Sequence, residues 1–244
     1  MADPAVSALL EVLQAVPGPA ALASSLSAED MVITDVIARH QLPIGVFVLD
    51  TGRLHGDTLV LIERIRKVYG IDVAVYAPDA HAVADYVRAY GRDAFYQGVE
   101  LRKRCCAIRK VEPLGRALAG KRAWITGQRR EHSPDRAWLP EREDDVVHGI
   151  DKFNPLAQWS EQQVWQYIRE NRVPYNRLYD QGYRSIGCAP CSRPVRPDED
   201  PRAGRWWWEI AAVKECGLHV APDGKLVRGK ENGVRPHFPT EITS

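Results

Sequence analysis

Short apolar runs of strand length alternate with segments of helical spacing along most of this chain, and that alternation limits the available folds more than any other feature. Gly45-Val-Phe-Val-Leu-Asp50 is one such run ending in a turn, and His55 to Tyr69 follows it with Leu59, Leu61, Ile62 and Ile65 at helical spacing. Asp72 to Tyr76 and Arg122 to Thr126 repeat the strand signal, with Ala80 to Tyr90 and Glu112 to Leu118 as the helical stretches between them. Upstream, Ala20 to Ser24 is a further strand and Ala28 to Arg39 a helix opened by Ser27. The pattern predicts an α/β fold, a mostly parallel sheet flanked by helices. Ligands of such sheets sit beyond the carboxyl ends of the strands. Polar turns fall there: Ser24-Ser25-Leu26-Ser27, Asp50-Thr51-Gly52-Arg53 and Gly127-Gln128-Arg129-Arg130. After about residue 150 the pattern changes. Ser160 caps one helix through Glu170, and the chain beyond it is rich in Pro and Gly, so something other than a sheet must hold it. We expect one domain over residues 1–196 and an irregular C-terminal tail over 197–244.

The cysteines indicate what holds that region. Of the five, Cys105 and Cys106 are adjacent, Cys188 and Cys191 form a C-x-x-C, and Cys216 stands alone. Met1 to Leu10 lacks a basic stretch followed by a long apolar one, so no export signal is expected; the expected location is cytoplasmic, where thiols stay reduced. No apolar run approaches the ~18 to 20 residues of a membrane span. The 33 Lys and Arg nearly balance the 32 Asp and Glu. Neither a membrane nor a nucleic-acid partner is expected. Four thiolates suit a tetrahedral zinc or an iron-sulfur cluster. Consecutive Cα atoms lie about 3.8 Å apart, below the ~4.4 to 6.8 Å that disulfides prefer. On a helix the two side chains diverge by about 100°, which suits thiolates meeting different irons better than ligands of one zinc ion. The pattern favours a [4Fe-4S] cluster on Cys105, Cys106, Cys188 and Cys191, over two reduced buried pairs.

A helix expected over Arg102 to Lys110 sets Arg109 and Lys110 four residues after the thiols, one turn along the same faces. The plain reading is a solvated basic face. The sharper one has Lys110 reaching both a negatively charged cluster and an anionic substrate. Cys216 lies in Lys214-Glu215-Cys216-Gly217-Leu218-His219, too polar for a core, where Lys214 and His219 would raise its thiolate fraction. The bland alternative is an incidental surface thiol. Gly217, Gly224, Gly229 and Gly233 suggest a mobile tail able to close over a cleft. Trp206 to Trp208 are expected in a core or docking role.

Together these strings resemble the assimilatory adenylyl-sulfate (APS) reductases, relatives of the PAPS reductases within the adenine-nucleotide α-hydrolase-like fold. The strings are Asp50-Thr51-Gly52-Arg53-Leu54, Cys105-Cys106-Ala-Ile-Arg109-Lys110, Thr126-Gly127-Gln-Arg129-Arg130 with Ser133-Pro134 and Arg136, and Asn154-Pro155-Leu156. Further along come Gly182-Tyr183, Ser185-Ile186-Gly187-Cys188-Ala-Pro190-Cys191, Gly204-Arg205-Trp-Trp-Trp208-Glu209 and Lys214 to His219. The resemblance implies that Cys216 attacks the sulfur of APS, AMP leaves, and an S-sulfocysteine forms, from which reduced thioredoxin or glutaredoxin releases sulfite. It implies Lys110, Arg136, Arg202 and Arg205 at the phosphosulfate, with Arg129, Arg130 and His219 as further substrate-binding residues. It places Gly127 and Asp50, Thr51, Gly52, Arg53 and Leu54 along the nucleotide. It also implies phosphate or sulfate at the serine turn, Ser24 and Ser25. Many relatives carry Ser-x-Ser-Gly where this chain has Ser24-Ser25-Leu26-Ser27, so the second serine and the glycine are replaced here.

With four thiols on a cluster, Cys216 has no internal resolving partner, and the chain is expected to end before a fused thioredoxin or glutaredoxin domain. Turnover then requires an external dithiol. The cluster is expected to organise the site rather than to carry electrons. Two rivals remain: reduction of PAPS, and a metal-binding regulatory module using Cys216 as a redox sensor. A homo-oligomer is compatible with the sequence and not specified by it.

Overall fold

The computed structural model describes residues 3–209, so Cys216, His219 and the expected mobile tail lie outside the described residues. The elements run α1 (Pro4–Gln14), β1 (Ala20–Ser24), α2 (Ala28–Arg39), β2 (Ile44–Leu49), α3 (Gly56–Tyr69), β3 (Val73–Tyr76), α4 (Ala80–Tyr90) and α5 (Val99–Cys106). They continue with α6 (Glu112–Leu118), β4 (Ala123–Ile125), β5 (Arg142–Asp145), β6 (Ile150–Phe153) and α7 (Glu161–Asn171). The strands form one sheet in the order β3-β2-β1-β4-β6-β5, parallel except for the antiparallel edge strand β5. The α/β expectation holds.

Alternation along the strands divides the core. Leu22, Val46, Val48, Ile125 and Phe153 face one side and pack with Leu9 and Leu13 of α1, Met31 to Ile37 of α2, Ile65 of α3 and Tyr167 of α7. Ala21, Phe47 and Trp124 face the other, where the buried helical residues against them are Leu114, Ala117 and Leu118 of α6. That second layer covers only part of its face, leaving the carboxyl ends of the central strands to floor a cleft. Asp35 ties the thicker layer together. Fully buried, it accepts hydrogen bonds from Tyr69 (2.8 Å), Tyr167 (2.7 Å) and Arg39 (2.7 Å).

Three elements escape the strand and helix reading. Helix α1 starts at Asp3, whose carboxylate accepts from Ala5 N. The β5–β6 hairpin was not expected either: Arg142-Glu-Asp-Asp145 is a charged edge, a composition that blunts edge pairing but hides the strand from hydropathy. The third correction concerns the helix expected over Arg102 to Lys110. It is α-helical only to Cys106; Ala107–Val111 is a π-helical turn leading into α6. A wider turn alters the angular relation of Arg109 and Lys110 to the cysteines, and such turns frequently occur at functional sites.

No helix among the described residues is long and apolar enough to cross a membrane.

Candidate active site

The sheet order places the site. The chain leaves β1 for β2 and β3 on one side, then crosses to β4 on the other, so the loops after β1 and β4 diverge and leave a crevice at that switch point. A cavity of about 310 Å³ opens there, floored by Ala23, Phe47, Leu49 and Trp124 and walled by the Ser24-to-Asp30 and Thr126-to-Arg129 turns. At Gly127 an added Cβ would lie 2.5 Å from Asp30 Oδ1 and 2.8 Å from Glu29 Cβ. The end of β4 therefore approaches the start of α2 as closely as it does only with glycine at this position.

The serine turn is built differently from expectation. Leu26 occupies the left-handed region at φ 62° and is fully buried in the core, so the turn is pinned by an apolar anchor. Ser25 N and Ser25 Oγ both donate to Asp30 Oδ2 at 2.7 Å, and Ser27 Oγ caps α2 by accepting from Asp30 N. Ser24 and Ser25 line the cleft, yet the Ser25 donors are already committed to a carboxylate. Burial pushes the Asp30 carboxyl up, against the lowering effect of those Ser25 hydrogen bonds.

Arg129 is likewise occupied. Its Nε donates to Glu29 Oε1 at 2.8 Å and its NH1 to Glu131 at 2.7 Å and to the Trp159 carbonyl at 3.1 Å. His132 Nδ1 accepts from Arg129 N, so its Nε2 carries the proton and donates to Glu29 Oε1 at 3.0 Å. Burial alone would raise the Glu29 carboxyl, but the His132 hydrogen bond and the Arg129 charge oppose it and the carboxyl is held at about 2. Glu29 is thus a buried, ionised wall group. Arg129 serves that wall rather than projecting as an open cation.

Lys110, Arg136, Arg202 and Arg205 all line the cleft, as do Gly127, Thr51 and Leu54. Asp50, Gly52, Arg53 and Arg130 do not. Asp50 Oδ1 accepts from Gly52 N, Arg53 pairs with Asp93 at 2.6 Å and stacks over Phe95, and Arg130 Nε donates to the Leu139 carbonyl. Sequence reasoning missed Glu29, Gln128, His132 and Trp206 as lining groups. The strand-end rule carried the signal for Gln128, which stands in the polar turn after β4. Its buried Nε2 has no hydrogen-bond partner among the described residues, which suits a donor kept for a ligand.

Behind the cleft, Cys105, Cys106, Cys188 and Cys191 line a second, smaller cavity. Lys110, Cys188 and Trp206 line both, so they form the partition. The cysteine loop is fixed to the rest of the fold: Thr51 Oγ1 lies 3.2 Å from Cys188 Sγ, Ala189 N donates to the Arg53 carbonyl, and Tyr96 Oη donates to the Pro190 carbonyl at 2.8 Å. Arg109 donates to the Thr51 carbonyl at 2.6 Å, tying the π-helical turn to the same loop. Burial and the neighbouring Cys188 push the Cys191 thiol up to about 12, while burial raises Cys105 against the opposing effect of Arg109. Such thiols are poor nucleophiles on their own.

Among the described residues no three His, Cys, Asp or Glu side chains converge on a single ion position. What the structure offers is four thiols spread around one cavity with Arg109 and Lys110 beside them. A polynuclear cluster, whose thiolates each meet a different iron, fits that donor set, and the cations offset its negative charge.

Residues 19–194 match the phosphoadenosine phosphosulfate reductase domain. The chain belongs to that family. Relatives include the adenosine 5'-phosphosulfate reductase of Allochromatium vinosum, 58% identical over 197 residues covering 81% of this chain and 77% of that protein. The Burkholderia cepacia protein of the same name is 54% identical over 212 residues, 87% of this chain and 85% of its own. Among solved structures, phosphoadenylyl-sulfate reductase from Candida auris in a phosphate complex superposes with a TM-score of 0.64 at 30% identity, covering 75% of this chain and 88% of that one. An FMN adenylyltransferase from Candida glabrata shares the fold alone, at 14% identity and a TM-score of 0.53. The family's matched region carries both halves of the four-cysteine set and the loops that wall the cleft.

Proposed function

We propose that this protein reduces adenylyl sulfate to sulfite and AMP in assimilatory sulfate reduction, drawing its electrons from reduced thioredoxin or glutaredoxin in the cytoplasm. The observation that carries the reading is the cleft at the β1–β4 switch point, lined by Lys110, Arg136, Arg202 and Arg205 among other cations and backed by the four-thiol cavity. The names of the relatives at 54% and 58% identity support APS over PAPS.

In this reading residues 1–196 bind the nucleotide and 197–244 bring Cys216 to it. The floor of Phe47, Leu49 and Trp124 takes an apolar ring, and Gln128 supplies a polar contact at its edge. Lys110, Arg136, Arg202 and Arg205 orient the anionic phosphosulfate and offset the charge that gathers on the departing phosphate. The Cys216 thiolate attacks sulfur, the sulfur–oxygen bond to the phosphate breaks, and AMP leaves with the bonding pair. A thiolate of the external dithiol then attacks Cys216 Sγ and sulfite departs with its electron pair. The second donor thiol resolves the mixed disulfide, leaving donor disulfide and free Cys216. A [4Fe-4S] cluster on Cys105, Cys106, Cys188 and Cys191 would supply a fixed charge behind Lys110 and a covalent tie between α5 and the cysteine loop.

The test is sulfite release by anaerobically prepared, iron-replete protein given reduced thioredoxin and either APS or PAPS. Turnover of APS with a much smaller kcat/KM for PAPS is expected; preference for PAPS, or no turnover of either, refutes the reading.

A further inference from the structure

Among the described residues Trp206 is the largest fully buried side chain, 1% exposed, and its backbone sits at φ 43°, a left-handed conformation that costs energy for a residue other than glycine. Its indole lies between two guanidinium groups, Arg102 at 4.4 Å and Arg205 at 4.7 Å from the ring centroid. Arg102 rises from α5 one turn before the adjacent cysteines, and its Nε is held at 2.6 Å by Glu209, both side chains being buried. Arg205 is restrained further. Its NH1 donates to the Ile186 carbonyl at 3.0 Å, and its guanidinium lies where a Cβ at Gly187 would stand, 2.5 Å from NH2. Gly187 directly precedes Cys188, Trp206 N donates to the Cys191 carbonyl, and Arg205 lines the cleft.

We propose that Trp206 is a positioning residue, the middle layer of a clasp Arg102–Trp206–Arg205 that transmits the placement of the cysteine-bearing helix to a cation of the substrate cleft. This rests on the function proposed above. The clasp gives the strained backbone a role, since in that conformation the indole meets both Arg102 and Arg205. It also accounts for the glycine before Cys188, since a side chain at residue 187 would displace the guanidinium and leave the thiol loop itself alone.

The test uses the full iron-replete chain. Trp206→Leu and Trp206→Phe are made alone and with Arg205→Ala, and kcat/KM for APS is measured. Trp206→Leu is expected to lose on the order of tenfold, the size a desolvated cation–π contact supports, and Trp206→Phe, which keeps an aromatic face, to recover most of it. In the Arg205→Ala background the Leu change is expected to have almost no further effect. Losses that multiply in the double variant, or a Phe variant no better than Leu, overturn the clasp. Gly187→Ala, which leaves the indole in place, is expected to show a comparable loss with little change in melting temperature; unchanged kcat/KM there overturns it too. An independent reading comes from the Arg205 Nε–H resonance, assigned by its loss in Arg205→Ala. It is expected to be ring-current shifted in the wild type and to revert in Trp206→Leu whether or not APS is the substrate, and an unshifted wild-type resonance contradicts the clasp.

Discussion

Glu29 offers a stability test whose size follows from its surroundings. In the folded protein its carboxyl is held at about 2 against an ordinary value of 4.5, with the side chain 9% exposed between Arg129 and His132. At about 1.4 kcal/mol for each unit between those values, the ionised form contributes about 3 kcal/mol near neutral pH. Because the folded value is the lower one, that stability is present above pH 4.5 and is lost as pH falls through the window down to about 2. By pH 3.5 the unfolded chain has taken up most of one proton that the folded protein has not, a loss of about 1.4 kcal/mol. Glu29→Gln removes the titrating group while leaving Arg129 its contacts with Glu131 and the Trp159 carbonyl. Urea unfolding of wild type and variant between pH 6 and 3.5 reads the difference. The variant is expected to be the less stable at pH 6, with the gap narrowing by about 1.4 kcal/mol at pH 3.5. Parallel pH profiles would refute the buried ion-pair reasoning.

Two further substitutions probe the walls. Gly127→Ala sets a methyl against Asp30 and Glu29, so a stability loss of about 1 to 3 kcal/mol by urea unfolding and weaker AMP binding by calorimetry are expected; wild-type values for both would contradict the close approach of β4 and α2. Cys188→Ser is expected to lower bound iron and visible absorbance after anaerobic reconstitution, and a full complement of iron in that variant would contradict the four-thiol assignment.

The parallel sheet and its ligand-bearing edge were legible because β1 to β4 are apolar and separated by helical spacing, a pattern set by burial on both faces. The β5–β6 hairpin was not, since Arg142 to Asp145 carries charge where a strand usually carries apolar side chains, and Lys152 is buried only by virtue of its 2.8 Å pair with Glu143. The four clustered cysteines were legible as a set from spacing, but the π-helical turn beside them was not: Ala107 to Val111 contains nothing that distinguishes it from an α-helix. Arginines misled most. Arg53, Arg129 and Arg130 look in sequence like Arg136, Arg202 and Arg205, and only the tertiary structure shows that Arg53 and Arg130 lie away from the cleft, on Asp93 and a backbone carbonyl, and that Arg129 enters its wall held by Glu29. Leu26 gives a similar lesson. Its place in a serine turn suggests solvent, whereas a positive φ turns it into the core.

The central claim is that Cys216 takes sulfur from APS in a cleft backed by a four-thiol cluster. Its most direct test is to incubate the anaerobically prepared protein with sulfur-labelled APS and no reductant, then isolate the denatured chain. The account predicts covalent label on the wild type, located on Cys216, absent from Cys216→Ser and released as sulfite by reduced thioredoxin. An iron-replete wild type that takes up no label, or a Cys216→Ser chain that takes up as much, would contradict it.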